Sequence, residues 1–130
     1  MSCNILIVDD SATTRAMIKR TIRLAEVPVT NLFEAGNGQE ALDILEHVRV
    51  DLVLADLNMP AMNGIEMTQR MRSRPETRNI PVVVVSADPN ARHHEALRGA
   101  GIQGYVRKPC TPECVRNMIQ EVLGGTHVSA

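Results

Sequence analysis

The stretch Asp51-Leu-Val-Leu-Ala-Asp-Leu-Asn-Met-Pro60 decides the fold of this chain. Residues 52–55 form an aliphatic run that ends on the carboxylate of Asp56, and Pro60 stops the pattern soon afterwards. A strand that is apolar on both faces is typical of the centre of a parallel sheet covered by helices. In such sheets, ligands bind just beyond the carboxyl ends of the strands. The stretch therefore predicts a buried central strand that presents Asp56 at the functional edge of the sheet.

Short apolar runs alternate with amphipathic stretches on both sides of this central strand. The other predicted strands cover 5–8, 30–33, 80–85 and 102–106. The predicted helices cover 11–25, 37–48, 63–72, 88–98 and 111–123. Strands and helices that alternate at these lengths predict a single α/β domain with a doubly wound parallel sheet of five strands and five helices.

Two of the predicted helices begin with an Asn variant of the capping box. Asn37 is followed three residues later by Glu40, and Asn63 is followed in the same way by Glu66. In this motif the first side chain accepts a hydrogen bond from the backbone N–H at the third position, and the Glu side chain reaches back to the N–H of the capping residue.

Composition excludes several classes of function. The chain has 130 residues, of which 44% are hydrophobic, enough for one well-packed domain. Aromatic residues make up 2% of it, which disfavours flavin sites and base-stacking surfaces. A net charge of −1 gives no reason to expect a nucleic-acid or membrane partner. Three cysteines and the lack of a signal-peptide pattern favour a reducing, cytoplasmic location.

Polar side chains follow four of the five predicted strands. These residues are Asp9, Asp10, Asp56, Ser86 and Lys108. The carboxyl ends of parallel strands share one edge of the sheet, so the five side chains can converge. Three carboxylates close together repel one another, and Mg²⁺ with its preference for oxygen ligands relieves that repulsion. The set predicts a magnesium site where Asp56 acts as a nucleophile and forms an aspartyl phosphate, with Lys108 and Ser86 facing the phosphoryl group.

Five motifs in this order resemble the receiver domain of two-component response regulators, of the small chemotaxis type. They are Ile-Val-Asp9-Asp10-Ser, Ala35-Gly-Asn-Gly-Gln-Glu-Ala-Leu42, Asp56-Leu-Asn58-Met-Pro60-Ala-Met-Asn-Gly64, Val-Ser86-Ala and Gly104-Tyr-Val-Arg-Lys108-Pro109. The resemblance implies a flavodoxin-like three-layer sandwich with strand order 2-1-3-4-5. It implies a receiver domain over 1–124 with a short tail over 125–130, and we expect no output domain.

The resemblance also assigns roles to the acidic residues. It implies that Asp56 is the phosphoacceptor. Asp10 and Asp56 then bind Mg²⁺ directly together with the backbone carbonyl of Asn58, and Asp9 acts largely through water. Lys108 pairs with the phosphoryl group or, without phosphate, with Asp56.

Further roles concern the response to phosphate. The resemblance implies that Ser86 moves toward the phosphoryl group and that Tyr105 changes rotamer. Asn58 and Asp88 match positions that tune loss of the phosphoryl group, and the Lys108–Pro109 peptide bond is implied to be cis. The usual output surface is formed by the fourth helix, the fifth strand and the fifth helix.

The implied function is a cytoplasmic, monomeric signalling switch and not a turnover enzyme. A sensor histidine kinase would phosphorylate it, and a protein such as a motor switch or relay component would read it. A phosphate sink or phosphorelay intermediate stays open as an alternative. A magnesium-dependent phosphohydrolase is disfavoured because its paired acids usually read Asp-x-Asp, whereas Asp9 and Asp10 are adjacent. A flavodoxin-like electron carrier is disfavoured because the chain has almost no aromatic side chains to hold a flavin.

Cys110 and Cys114 do not indicate a redox site. They lie four positions apart, which is not the spacing of a two-residue redox loop. Cys110 precedes the predicted cap residue Thr111, where we expect it to pack on Val115 as in a hydrophobic staple.

Overall fold

The computed structural model describes residues 3–57, 59, 61–88, 95 and 99–123. Five strands and four helices follow one another in this part of the chain. Their bounds are β1 (Asn4–Val8), α1 (Ala12–Leu24), β2 (Asn31–Ala35), α2 (Gly38–His47), β3 (Leu52–Asp56), α3 (Gly64–Arg72), β4 (Val82–Ser86), β5 (Gly104–Arg107) and α4 (Pro112–Val122).

The five strands form one parallel sheet in the order β2-β1-β3-β4-β5. The predicted strand order and the central place of β3 are therefore confirmed. The register pairs Val8 with Ala55 and Asp56 with Val85, so β1, β3 and β4 end at nearly the same level. This alignment brings the residues that follow each strand to one edge.

Alternation along the strands explains why both faces of the sheet are covered. In β1, Leu6 and Val8 pack into a cluster shared with α2 and α3. Ile5 and Ile7 point the other way and pack into a cluster shared with α1 and α4. Side chains of a strand alternate between faces, and both sets are buried here. The predicted three-layer arrangement is confirmed.

Three strand boundaries differ from the prediction by two residues, and one predicted helix is not among the described elements. β2 ends at Ala35, two residues later than predicted. β4 and β5 begin two residues later than the apolar runs at 80 and 102, because those apolar residues precede the ladder pairing. The helix predicted over 88–98 lies almost wholly outside the described residues, so four helices stand against the five predicted. Among the described helices, none has the length and hydropathy of a transmembrane segment.

The α2 cap corrects one detail of the predicted capping box. Asn37 Oδ1 accepts a hydrogen bond from the N–H of Glu40 at 2.9 Å, as predicted. The Glu40 carboxylate instead accepts from the N–H of Gly36 at 3.0 Å and from Asn37 Nδ2 at 3.1 Å. Glu40 thereby fixes the turn between β2 and α2 one residue earlier than the motif specifies.

Arg72 ties the opposite, amino-terminal edge of the sheet together. Its guanidinium donates to the backbone carbonyls of Arg78, Ile80 and Gly101 and to the side-chain oxygen of Gln103. The same Gln103 oxygen accepts from the N–H of Val82 at 3.0 Å. Burial lowers the pKa of Arg72. One side chain at the end of α3 thus links the segments that lead into β4 and β5.

Candidate functional site

Three carboxylates meet where β1 and β3 end. Asp9 and Asp10 follow β1 directly, and Asp56 is the last residue of β3. One oxygen from each of these side chains lies within 4.8 Å of the others. Asp9 is buried, Asp56 is half-buried and Asp10 is exposed, so the cluster opens to solvent on the Asp10 side. The structure brings together the three acids singled out in the sequence.

Lys108 approaches these acids from the end of β5. Its Nζ is 3.0 Å from Asp9 Oδ2 and 3.8 Å from Asp56 Oδ1. The other oxygen of Asp9 accepts a hydrogen bond from the N–H of Ser11 at 2.9 Å. The implied contact between Lys108 and Asp56 is present, but it is longer than the contact with Asp9. The ammonium therefore lies between two carboxylates and closer to the buried one.

The donor set fits a hard divalent cation. Three carboxylates lie around the site, and Lys108 offsets one of their charges. The remaining negative charge favours a cation, and Mg²⁺ prefers oxygen ligands while keeping several waters. The exposed side at Asp10 leaves room for such waters. Asn58, whose backbone carbonyl the resemblance assigns to the metal, lies outside the described residues.

Ser86, Asp88 and Tyr105 form a chain of contacts beside the acids. Ser86 is buried at the end of β4, and its hydroxyl oxygen accepts a hydrogen bond from the N–H of Asp88 at 3.1 Å. The Tyr105 hydroxyl donates to the backbone carbonyl of Asp88. The Tyr105 hydroxyl also lies 3.5 Å from the backbone carbonyl oxygen of Ser86. Tyr105 is thus joined to Ser86 both directly and through Asp88, which gives the proposed movement of both side chains a physical connection.

The segment after β5 places Lys108 and begins the last helix. The Lys108–Pro109 peptide bond is cis. Thr111 caps α4, with its hydroxyl accepting a hydrogen bond from the N–H of Cys114 at 3.0 Å. Cys110 packs against the core cluster that contains Val115, which is compatible with the packing expected from the sequence.

Burial raises the pKa of the Cys110 thiol to about 11, which leads to a first prediction. At pH 8 about one part in a thousand of such a thiol is thiolate, compared with about a quarter of an unperturbed cysteine. Alkylation of Cys110 by iodoacetamide should therefore be about 200-fold slower in the folded protein than in urea. Peptide mass mapping over time measures this rate for each cysteine. Equal rates for Cys110 in folded and unfolded protein would contradict the burial of its thiol.

Two residues that position the site were not recognised in the sequence. The Arg15 guanidinium donates to the backbone carbonyl of Asp9 at 2.6 Å. Gly64 approaches the backbone of Asp56 so closely that a Cβ built on it would lie 2.6 Å from the Asp56 carbonyl oxygen. Gly64 ends one of the motifs that resemble the receiver domain, but no local sequence pattern indicates its close packing on Asp56. Arg15 contacts Asp9 and Glu34, which lie on other elements, so no local spacing indicates its role.

Comparison with known proteins extends over almost the whole chain. The family model described as "Response regulator receiver domain" matches residues 5–120. A "Chemotaxis protein CheY homolog" of Campylobacter jejuni is 33% identical over 121 residues, which cover 92% of each chain. The "Chemotaxis protein CheY" of Pseudomonas aeruginosa is 35% identical over 119 residues, covering 92% of this chain and 94% of the relative.

Solved structures agree with these sequence matches. The chemotaxis response regulator CheY4 of Vibrio cholerae is 28% identical and superposes with a TM-score of 0.84, covering 95% of this chain and 100% of the other. Receiver domains accept phosphate from histidine kinases and bind Mg²⁺ in an acidic pocket, and the cluster at Asp9, Asp10 and Asp56 corresponds to such a pocket. The chain therefore belongs to the response regulator receiver domain family, the phosphorylation-regulated switches of two-component signalling.

Proposed function

We propose that this chain is a chemotaxis-type signalling switch that accepts a phosphoryl group on Asp56 from a sensor histidine kinase. The observation that supports this proposal best is the meeting of three carboxylates and the Lys108 ammonium at the carboxyl edge of the sheet. Asp56 stands at the end of the central strand, where a reacting carboxylate is accessible from solvent. Asp9 and Asp10 would hold Mg²⁺ with Asp56 and the carbonyl of Asn58.

The transfer uses few groups because phosphoryl transfer depends mainly on positioning and charge. An oxygen of Asp56 forms a bond to phosphorus while the bond from phosphorus to the kinase histidine nitrogen breaks, and that nitrogen leaves with the electron pair. Bound Mg²⁺ would supply positive charge toward the phosphoryl oxygens. Lys108, 3.8 Å from Asp56, supplies positive charge from the protein, and Ser86 offers a hydroxyl donor.

The output in this proposal is a change in protein binding. A shift of Ser86 toward the phosphoryl group alters its contact with Asp88 and, through it, the position of Tyr105. The affected face comprises β5, α4 and the helix predicted over 88–98, and β5 and α4 border a groove of about 740 Å³. A motor switch or relay protein is the expected reader in the cytoplasm. A phosphate sink would use the same phosphoacceptor site, so this role stays open as an alternative. The bounds of the receiver domain at residues 1–124 stay a prediction.

Chemical phosphorylation tests the phosphoacceptor directly. Acetyl phosphate with Mg²⁺ should add one phosphoryl group, visible by intact mass, removed by hydroxylamine and localised to Asp56 by peptide mapping. EDTA should prevent the addition. Absence of an adduct with Mg²⁺ present would sink the proposal. Steady turnover of a general phosphomonoester would instead indicate a phosphohydrolase.

Tyr105 provides a second prediction because it is the only tyrosine in a chain without tryptophan. Its emission therefore reports on its own hydroxyl, which now donates to the Asp88 carbonyl. A peptide carbonyl bonded to the phenol quenches tyrosine, so emission should rise when phosphorylation breaks this contact. The measurement is tyrosine fluorescence during phosphorylation, with an Asp56→Asn protein as control. Unchanged emission at full phosphorylation would contradict the coupling of Tyr105 to the site.

A further inference from the structure

Arg15 connects the acidic site to the neighbouring strand β2. It lies in the first turns of α1, and its side chain folds back toward the end of β1. Nη1 donates to the backbone carbonyl of Asp9 at 2.6 Å, and Nε donates to Glu34 Oε1 at 3.1 Å. The side chain is 19% exposed, so most of it is shielded from water.

The carbonyl that Arg15 holds belongs to the peptide unit between Asp9 and Asp10. A peptide unit is planar, so a fixed carbonyl oxygen also fixes the direction of the Asp10 N–H and the position of the Asp10 Cα. This restricts the positions that the Asp10 carboxylate can reach. Asp9 has further anchors, because its own N–H donates to Ala35 and its carboxylate contacts Ser11 and Lys108. Asp10 is exposed, and the orientation of this peptide unit is the constraint that the Arg15 contact adds.

Glu34 holds the guanidinium in place. Its carboxylate also accepts from Lys19 Nζ at 2.7 Å, and the contacts with Lys19 and Arg15 lower the pKa of Glu34. A guanidinium presents its donors in a rigid fork, so Nε and Nη1 can hold two acceptors at a fixed angle. A lysine at position 15 would keep the charge, but its single ammonium would not reproduce this geometry.

We propose that Arg15 is a positioning residue for the metal-binding acids: by bridging Glu34 and the Asp9–Asp10 peptide unit, it holds Asp10 where it can meet a cation together with Asp9 and Asp56. This inference rests on the proposed function, since Mg²⁺ is the cation that the site is proposed to bind. Arg15 does not touch the metal, and its effect passes through the backbone.

Charge and position predict opposite results for Arg15, which makes the proposal testable. Arg15 is positively charged and close to the acids, so loss of its charge would by itself strengthen binding of a dication. If Arg15 positions Asp10, its loss weakens that binding. Removal of a residue that orients metal ligands typically costs about 10- to 100-fold in metal affinity.

The experiment measures Mg²⁺ affinity by calorimetry in the wild type, Arg15→Ala and Arg15→Lys. Both variants should bind Mg²⁺ about 10-fold more weakly. Arg20→Lys is the matched control, because Arg20 is an exposed arginine of the same helix, and its affinity should stay at the wild-type value. Urea unfolding in EDTA checks that each variant is folded. Should the Arg15 variants fail to fold, Glu34→Ala removes the anchor that Arg15 shares with Lys19. Its lost negative charge would by itself weaken Mg²⁺ binding, so its readout is the chemical shifts of the Asp9 carbonyl carbon and the Asp10 amide nitrogen in EDTA, which should depart from their wild-type values.

A second readout does not need the metal. In EDTA, the carbonyl carbon of Asp9 and the amide nitrogen of Asp10 should change chemical shift in Arg15→Lys and keep their wild-type values in Arg20→Lys. Unchanged or tighter Mg²⁺ affinity in folded Arg15→Ala and Arg15→Lys would overturn the positioning role. Failure of the wild type itself to bind Mg²⁺ would contradict the proposed metal site instead, and the shifts in EDTA would still decide whether Arg15 holds the peptide unit.

Discussion

An Asp56→Asn protein should remain folded and take up no phosphoryl group. The amide of Asn is nearly the same size as the carboxylate but is not a nucleophile, so acyl phosphate cannot form at this position. The backbone of residue 56 pairs with Val85 in the sheet, and the substitution does not alter that pairing. One of three carboxylates within 4.8 Å of each other also loses its charge. Relief of this repulsion should leave the free energy of unfolding in EDTA unchanged or slightly higher.

Intact mass after treatment with acetyl phosphate and Mg²⁺ measures the first effect, and urea unfolding measures the second. Asp43→Asn is the matched control: Asp43 is an exposed acid of α2 that accepts a hydrogen bond from Gln39, and its replacement should leave phosphorylation intact. A phosphoryl adduct on Asp56→Asn would place the acceptor elsewhere. An unfolded variant would show that Asp56 is a structural residue and not a reacting one.

Gly64→Ala should destabilise the protein by about 1–3 kcal/mol, as overpacking against fixed atoms does. The added Cβ would lie 2.6 Å from the Asp56 carbonyl oxygen and 3.4 Å from the Leu57 Cα. These neighbours are backbone atoms, so no side chain can rotate away to relieve the contact. The N–H of Gly64 also donates to the Leu57 carbonyl at 3.1 Å, which holds the start of α3 against the loop. The destabilisation caused by this clash should therefore be larger than the small stabilisation that Ala gives through its higher helix propensity.

Urea unfolding of Gly64→Ala beside Gly99→Ala isolates the effect of the contact. A Cβ on Gly99 would meet no atom within 4 Å, so Gly99→Ala should be neutral or stabilising. The rate of phosphorylation of Gly64→Ala should also fall, because relief of the clash displaces the end of β3 that carries Asp56. If Gly64→Ala were as stable as the wild type, the loop after β3 would be able to shift and accommodate the added Cβ at little cost in free energy.

The sequence predicted the architecture well because the dominant signals are local. The run at 52–55 is apolar on both faces, a pattern typical of a central strand in a covered parallel sheet. Strand beginnings were less accurate: Ile80 and Ile102 are apolar, but the ladder with neighbouring strands starts later, at Val82 and Gly104. Hydrophobic periodicity records burial, whereas strand bounds depend on pairing with another segment.

The sequence predicted which residues form the site but not the distances between them. Side chains that follow parallel strands must share an edge, so the acids could be grouped without coordinates. That Lys108 lies closer to Asp9 than to Asp56 depends on the depth of each carboxylate, which no spacing encodes. The contact of Arg15 with Glu34 joins residues 19 positions apart on different elements, and it leaves no local motif. Asn58 lies outside the described residues, so its role stays a prediction.

Arg72 gives the two edges of the sheet different mechanical properties. The segments leading into β4 and β5 are fastened to α3 by hydrogen bonds to Ile80, Gly101 and Gln103, while the far ends of the same strands carry Ser86 and Lys108. The amino-terminal ends of β4 and β5 are thus held by Arg72. When phosphorylation displaces residues at the acidic edge, we therefore expect the carboxyl ends of these strands to tilt, and we do not expect the whole strands to shift. Such a hinge-like movement would confine the structural change to the carboxyl edge of the sheet. The amino-terminal edge would keep its position when a partner protein binds.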